Sequence, residues 1–533
     1  MLSEDRYFQE LSGDELWRRY CGFLDLSLTE FMNIQKELLV DELERVADST
    51  LGKKIMNGNK PKSVEEFRQT VPLTTYEDYE PYLSQRQEDA LAIKPAVWCH
   101  SAGRGGTFKW LPRCPELIEK INKSFLGAMI LASAGRRGEV NVAPGLRMFL
   151  MLPPPPYASG SEIENLTECF SFKAIPPLGA VRNLGFEERM EKGFQMALGD
   201  GIDFIAGIGS ILAKMGQDFG AQSRRKKSSS AMLHPKVVCR LLRAWLYSRR
   251  EGRGIWPKDL WPMKGILTGG VDTAIYRSEI NRYWGVEPYE FYVCSEVSRL
   301  AMQGWNKKGM VFLPDMAFLE FIPHEEQLRH RGDKNYRPST VLLDEVREGK
   351  LYEVVITHFY GGPLLRYRME DLIKVVALED RDAGVHLPQI SFQRRLDEAI
   401  NLAGLAELDE KMIWQAIANT GVKYVEWSAC KEYDGNQTFL RLYLELEENK
   451  QVADLERMID EQLRTLDTDY KDIAEYLKLQ PVRVTLVAPG TFERYMDEKR
   501  REGADRAHMK PPHVNPPEET IQRLRQLSEV STK

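Results

Sequence analysis

No apolar run in this chain of 533 residues reaches the roughly 18 to 20 residues that cross a bilayer. The opening "MLSEDRYFQE" lacks the basic and then apolar stretches of a secretory leader, so no membrane partner is expected. Positive charge is not in surplus. Lys and Arg number 73 against 79 Asp and Glu, a net charge of −6, which argues against nucleic acid as the main partner, because phosphate backbones are held by excess cations. The dense basic run "SRRKKSSS" at 223–230 reads as a solvated loop. Cysteine is scarce, seven residues with no C-x-x-C pair, so reduced thiols in a cytoplasmic protein are expected. The eight histidines fall into no H-E-x-x-H or other ligand spacing, which gives a structural metal little footing. A Walker G-x-x-x-x-G-K-[ST], a strand-linked G-x-G-x-x-G and internal repeats are also missing.

What is present is a globular composition, 43% hydrophobic and 29% charged, on a chain too long for one ordinary core. The amphipathic "SLTEFMNIQKELLVDELERVADS" near the start predicts a helix. From about Pro72 short apolar strands alternate with helices, which gives an α/β class. "LRMFLMLPPPP" reads as a strand stopped by four prolines and "LYEVVITHF" as a buried strand. The texture changes after Arg394. "DEKMIWQAIANTG" predicts a helix with Asp409 as N-cap and Gly421 just past its end. "TFLRLYLELEE" alternates Leu440, Leu442, Leu444 and Leu446 with polar partners, which predicts a strand buried on one face; "YDGNQ" before it supplies a hairpin turn, and "VRVTLV" a further strand. We therefore expect a large N-terminal domain, 1–394, and a small, mobile α+β C-terminal domain, 395–533.

Four stretches carry chemistry. "HSAGRGGTFKWLP" follows an apolar strand, and such glycine-rich turns let backbone N–H groups close around phosphate; a plain turn fits the pattern equally well. In "GILTGGVDTAIYRSEINRYWGVEPYEFYVCSEVSRLAMQGW", a strand, a helix and a second strand end in Tyr292, Val293, Cys294, Ser295 and Glu296. A glutamate beyond a strand's carboxyl end can hold magnesium against phosphates, and Tyr292 can stack on a base. A Ser-Glu that caps a following helix would look the same. "LLRYRMEDLIKVVAL" places Asp371 at an expected strand turn, where a carboxylate can accept from both ribose hydroxyls; an Arg368–Asp371 surface pair is the alternative. "RRLDEAINLAGLAELDEKM" puts Arg395 and Asp397 at the expected hinge, and "GTFERYMDEKRREGADRAHMKPPHV" ends a helix near Gly503 and projects Lys510 from a proline-stiffened loop.

In their order and spacing these motifs, with "VPLTTYEDYEPYL" and "MVFLPDMAFLEFIP", resemble those of the acyl acid amido synthetases. This is the GH3 family, whose plant members conjugate auxin and jasmonate to amino acids and which belongs to the adenylate-forming superfamily. The similarity runs from about Val71 to Asn515. It implies a large adenylation domain with a C-terminal lid, and ATP and Mg²⁺ as cofactors. It also implies a small carboxylic acid and an amine, most simply an amino acid, as substrates. By the same resemblance Ser101, Gly103, Gly106, Thr107 and Lys109 would line the phosphate loop, and Ser295 and Glu296 would form the Ser-Glu motif with Glu296 on the metal. Tyr292 would be the adenine platform, Asp371 the ribose clamp, Arg395 and Asp397 the hinge, and Lys510 the cation that meets the acyl carboxylate and α-phosphate.

The chain departs from the family pattern in two places. Ala102, Arg104 and Gly105 replace three loop hydroxyls, each a hydrogen bond worth about 1.5 to 3 kcal/mol to a charged phosphate, although Arg104 offers a bidentate phosphate contact in return. Glu370 replaces a glycine of Y-R-x-G-D, and a positive φ there would strain it. Three readings stand: an amide-forming ligase, a thioester-forming ligase, and a weakened binding protein with the same pocket. For the acyl pocket, Phe125 to Ile130 and Phe318 to Phe321 are candidates, and a core role suits both.

Overall fold

The amphipathic run near the start folds, in a computed structural model of the protein, as helix Leu28–Val46. Its first turn is closed by a reciprocal cap: Ser27 Oγ accepts from Glu30 N, and the Glu30 carboxylate accepts from Ser27 N at 2.8 Å, satisfying donors that the helix cannot. Phe31, Leu39 and Leu43 face inward. From the same face Gln35 reaches across the core, donating to the carbonyls of Pro314 and Ala317 at 2.5 and 2.8 Å and accepting from Leu319 N at 2.9 Å. One amide side chain thus satisfies three buried backbone groups of a distant segment.

The structure describes residues 1–101, 109–180, 184, 186–222, 235–269, 273–333, 335–396, 400–402, 406–434, 437–448, 451–467, 470–471, 474, 481–501 and 513–530. The basic run at 223–230 lies outside them. The chain forms two compact units, Met1–Gln393 and Arg394–Lys533.

The first unit holds a hairpin, β1 (Val97–His100) and β2 (Trp110–Arg113), and an eleven-stranded sheet. The sheet's strands are β3 (Leu146–Leu150), β4 (Phe172–Ile175), β5 (Phe204–Gly207), β6 (Gly265–Gly269), β7 (Tyr289–Cys294), β8 (Ser298–Gln303), β9 (Met310–Phe312), β10 (Ala317–Pro323), β11 (Leu351–His358), β12 (Tyr367–Ala377) and β13 (Gln389–Arg395). They lie in the order β10-β11-β12-β13-β9-β8-β7-β6-β5-β3-β4. The strands β4, β3, β5, β6 and β7 are parallel, and from β7 to β8 the pairing turns antiparallel. That change of direction leaves the carboxyl end of β7 at the rim of the parallel block, where α/β sheets open a crevice. β3 ends before Pro153 to Pro156 as expected, since proline has no N–H to give the ladder. Phe125 to Ile130 and Phe318 to Phe321 both belong to the main core.

The second unit contains β14 (Ile400–Leu402), β15 (Ala406–Leu408), β16 (Tyr424–Asp434), β17 (Gln437–Leu446) and β18 (Val482–Leu486). β16 and β17 pair antiparallel from Asp434↔Gln437 onward, and β18 lies parallel to β17. Helix Glu410–Asn419 starts with Asp409 Oδ1 accepting from Met412 N at 2.7 Å, and Gly421 follows at φ +69°. The expected buried face of β17 is present, and the opposite face is covered too. Leu440, Leu442 and Leu444 pack under the helices Glu410–Asn419 and Val452–Leu466, but Tyr443 and Glu445 are buried as well. Helices Thr491–Arg501 and Glu518–Val530 cover that second face with Phe492, Tyr495 and Leu524. Glu445 is tolerated there because its carboxylate accepts from the backbone N–H groups of Gly490 and Phe492, at 2.6 and 3.0 Å, at the start of a helix.

His513, the histidine of "KPPHV", is clasped on both sides. Nδ1 lies 2.6 Å from Glu410 and Nε2 2.8 Å from Glu426, with the ring stacked on Trp427 at 4.4 Å between centroids. Burial pulls the imidazole's pKa down, but hydrogen bonds to Glu410 and Glu426 outweigh it and carry the pKa up to about 9.

Candidate functional site

The glycine-rich stretch is a hairpin connection. β1 and β2 pair from Val97↔Arg113 to His100↔Trp110, and Ser101 N donates to Lys109 O at 3.1 Å while Lys109 N donates to Ser101 Oγ at 3.3 Å. Residues 102–108, and with them Gly103, Gly106, Thr107 and the departures Ala102, Arg104 and Gly105, lie outside the described residues. The element that follows this stretch in the chain is a strand, β2, and not a helix.

The lysine of this stretch is Lys109. Its ammonium donates to Tyr367 Oη at 3.2 Å and lies 5.6 Å from the centre of the Tyr76 ring. It has no carboxylate partner among the described residues. Tyr76 is fixed by Trp110, whose N–H donates to its hydroxyl at 2.8 Å, and Tyr76 comes from the "VPLTTYEDYEPYL" segment. That segment is laced onto the start of β12: Thr74 N donates to Arg366 O and Arg368 N to Thr74 O, each at 2.9 Å.

Ser295 and Glu296 sit in the tight turn between β7 and β8, where Cys294 pairs with Ser298. The following element is a strand, which removes the helix-cap alternative. Glu296 is 8% exposed and makes no hydrogen bond or ion pair among the described residues. A nearly buried carboxylate without a donor is costly unless something positive meets it, and a hard anionic oxygen is what magnesium takes, so the residue fits the implied cation. Burial lifts the Tyr76 hydroxyl to about 12, with the charges of Glu80 and Glu296 adding to it.

Beneath this turn lies a network with no local signature in the sequence. Arg113 donates to Ser295 O at 3.3 Å and to Glu162 at 3.0 Å; the other Glu162 oxygen accepts from Arg299 at 3.1 Å, and Arg299 also donates to Ser124 Oγ and Ile121 O, each at 3.0 Å. Arg113 and Arg299 are 0% and 2% exposed. Two guanidiniums share one carboxylate, so the cluster beneath the Ser-Glu turn is net positive.

Tyr292 and Asp371, 79 positions apart, meet directly: the tyrosine hydroxyl donates to Asp371 Oδ2 at 2.6 Å. Burial first, and then the Asp371 charge, push the hydroxyl's pKa well up. Phe392 stands 5.5 Å from the Tyr292 ring. The expectation of Asp371 at a turn between strands is corrected, because it lies inside β12. There Leu372 pairs with Glu353 and Arg368 with Val355, so Met369, Glu370 and Asp371 oppose Val354 alone in a bulge. The bulge is made by Glu370 at φ +56°, the left-handed conformation that a glycine would adopt without strain. The Arg368–Asp371 alternative fails, since Arg368 forks onto the buried Glu353 at 2.7 and 2.8 Å.

Ser101, Lys109, Tyr292, Ser295, Glu296 and Asp371 therefore all fall in the first unit. Arg395 belongs to the second unit as the last residue of β13, while Asp397 and Lys510 lie outside the described residues. No helix among the described residues is long and apolar enough to cross a membrane.

Three domain models match the chain in order: the GH3 family N-terminal domain over residues 22–153, the GH3 family central domain over 310–395 and the GH3 family C-terminal domain over 409–519. Among curated proteins, the indole-3-acetic acid-amido synthetase GH3.3 of Arabidopsis thaliana is 26% identical over 269 residues, 47% of this chain and 42% of the relative. The jasmonoyl–L-amino acid synthetase GH3.5 of Oryza sativa subsp. japonica is 24% identical over 288 residues, 49% of this chain and 47% of that one. The chain thus spans less than half the length of the curated relatives it matches. Among solved structures, the GH3.15 acyl acid amido synthetase in complex with 2,4-DB aligns with a TM-score of 0.69 at 17% identity, over 97% of both chains. A 2-hydroxyisobutyryl-CoA ligase in its postadenylation state aligns at 0.63 and 14%, over 96% of this chain and 94% of that one. At these identities the likeness is one of fold.

Proposed function

The chain belongs to the GH3 family, and from that membership we propose that it is an ATP-dependent acyl acid ligase, which adenylates a small carboxylic acid and passes the acyl group to an amine, most simply an amino acid. One observation carries the reading furthest: the nearly buried Glu296 carboxylate has no partner among the described residues, at the carboxyl end of the last parallel strand. Lys109 comes from the hairpin, Tyr292 from β7 itself and Asp371 from β12, all in the same unit.

In this reading a carboxylate oxygen of the acid attacks the α-phosphorus of ATP. The bond from that phosphorus to the bridging oxygen breaks, and pyrophosphate leaves with the electron pair. The amine nitrogen then attacks the acyl carbon, AMP leaves, and the proton on nitrogen passes to solvent. Each step of charge on charge needs cations in place beforehand. Lys109, held by Tyr367 and the Tyr76 face, meets the outer phosphates, and Arg104 replaces part of what the lost hydroxyls gave. Glu296 is the residue to hold magnesium, which when bound neutralises phosphate oxygens. Asp371, which accepts from the Tyr292 hydroxyl, is the residue to clamp the ribose, so Tyr292 orients the clamp as well as lining the adenine side. Lys510 meets the acyl carboxylate and the α-phosphate, with residues 395–533 acting as a lid that keeps water from the acyl adenylate.

ATP–pyrophosphate exchange with a pooled panel of aromatic and fatty acids tests the reading. We expect acid-dependent exchange, reduced at least about 100-fold in Glu296→Gln and Lys510→Ala. Protein that binds ATP by calorimetry yet exchanges no pyrophosphate with any acid would establish the binding-protein alternative, which the loss of three loop hydroxyls at Ala102, Arg104 and Gly105 favours.

A further inference from the structure

Helix Pro235–Arg250, "PKVVCRLLRAWLYSRR", is turned the wrong way round for an ordinary surface helix. Its inward side is modest, with Val237, Ala244 and Ser248 buried. Its outward side carries Val238, Leu242, Trp245, Leu246 and Tyr247, between 39% and 55% exposed, which are five of the twelve exposed large hydrophobics among the described residues. Val238, Leu242, Trp245 and Leu246 follow the i, i+4, i+7, i+8 spacing of a single stripe. Scattered apolar residues on a surface need no explanation, but a contiguous stripe does.

The charge of the helix is equally one-sided. Lys236, Arg240, Arg243, Arg249 and Arg250 are its ionic residues, with no Asp or Glu among the sixteen, on a chain whose net charge is −6. The Arg249 guanidinium lies 4.7 Å from the centre of the Trp245 ring and that of Arg243 5.7 Å from Tyr247. Cationic heads thus lie against exposed aromatic rings of the helix, Arg249 on the stripe at Trp245 and Arg243 off it at Tyr247, as cationic side chains do where an apolar phase meets water. We propose that helix Pro235–Arg250 is a docking face for an anionic lipid surface, entered by the Leu242–Trp245–Leu246 stripe and held by the arginines through headgroup phosphates and carboxylates.

Size and charge select that occupant. The five exposed side chains offer on the order of 450 Å², about half of what one partner of a stable protein pair buries, whereas a headgroup–acyl boundary accepts a shallow strip of this width. A second copy of the chain would bring five like charges against five, an arrangement that opposes pairing through this face. The expectation of no membrane partner rested on spanning segments, and a helix lying in the interface crosses nothing. The inference is independent of the ligase reading.

Sedimentation of the full chain with vesicles of phosphatidylcholine, alone or with about 30% phosphatidylserine, tests it. We expect binding to the mixed vesicles only, released by about 0.5 M salt. The bound fraction should fall at least about fivefold in Leu242→Ser/Leu246→Ser and about tenfold in Arg243→Glu/Arg249→Glu. Both variants change exposed side chains, so unaltered melting separates lost docking from lost folding. Equal binding to neutral vesicles, no binding to either, or wild-type binding by both variants overturns the proposal. So does a concentration-dependent dimer that Leu242→Ser/Leu246→Ser disperses, because the stripe would then be a self-association face.

Discussion

Replacing His513 with glutamine keeps a ring-sized polar side chain but removes the charge that Glu410 and Glu426 share. The pKa of His513 is raised from 6.5 to about 9 in the folded protein, so the cation is favoured by roughly 3 kcal/mol; with 18% of the side chain open to water, screening reduces that to about 2. Because the folded value lies above the unfolded one, this stabilisation is complete below about pH 6.5 and is lost as pH rises through 9. In a unit of 140 residues, about 2 kcal/mol corresponds to roughly 6 to 8 °C in Tm. Thermal unfolding followed by tryptophan fluorescence should therefore show wild type well above His513→Gln at pH 6, with the two curves converging by about pH 10. Curves that stay parallel from pH 6 to 10 would refute the reasoning, since the clasp would then owe its strength to shape rather than to charge.

Other perturbations have equally definite outcomes. Glu42 is buried with Gly361 N donating to it at 2.7 Å, and burial lifts its pKa to about 8. Stability should fall as pH rises from 4.5 to 8, and Glu42→Gln should gain about 2 kcal/mol or more over wild type above pH 8 in urea melts; equal midpoints there would count against a buried charge. Gln35→Leu strips partners from three buried backbone groups and should cost about 3 kcal/mol, visible as a lowered midpoint with an unchanged m-value; a cost below about 1 kcal/mol would mean that the segment finds other donors. Glu370→Gly relieves a left-handed glutamate and should raise stability by about 0.5 to 1 kcal/mol, so a lower Tm would show that the side chain compensates for its backbone.

What could be read from the sequence was what neighbours in the chain decide. The helix at 410–419 announces itself through Asp409 and Gly421, because caps act within one turn. The strand before Pro153 and the helix after Ser27 are equally local. Motif order brought Tyr292, Glu296 and Asp371 into one list, but no spacing says that Tyr292 donates to Asp371 or that Glu162 bridges Arg113 and Arg299. Those contacts join positions 79, 49 and 137 apart and depend on the sheet order. Asp371 was expected at a turn for the same reason: charged residues inside an apolar run look like an interruption, whereas Glu353 and the bulge absorb them without ending the strand. On β17 the alternation of leucines identified one buried face correctly and said nothing of the other, because Tyr443 and Glu445 are polar by type and buried only through helices that come later.

That second face sets a timetable for synthesis. A ribosome delivers β17 well before helices Thr491–Arg501 and Glu518–Val530, so for an interval Tyr443 and the uncapped Glu445 stand in water on a strand whose leucine side already calls for burial. The unit cannot finish as its residues appear; it must wait, half sandwiched, for helices still to be translated. Slowing translation between residues 446 and 518 would lengthen the time in which nascent chains expose that strand to one another.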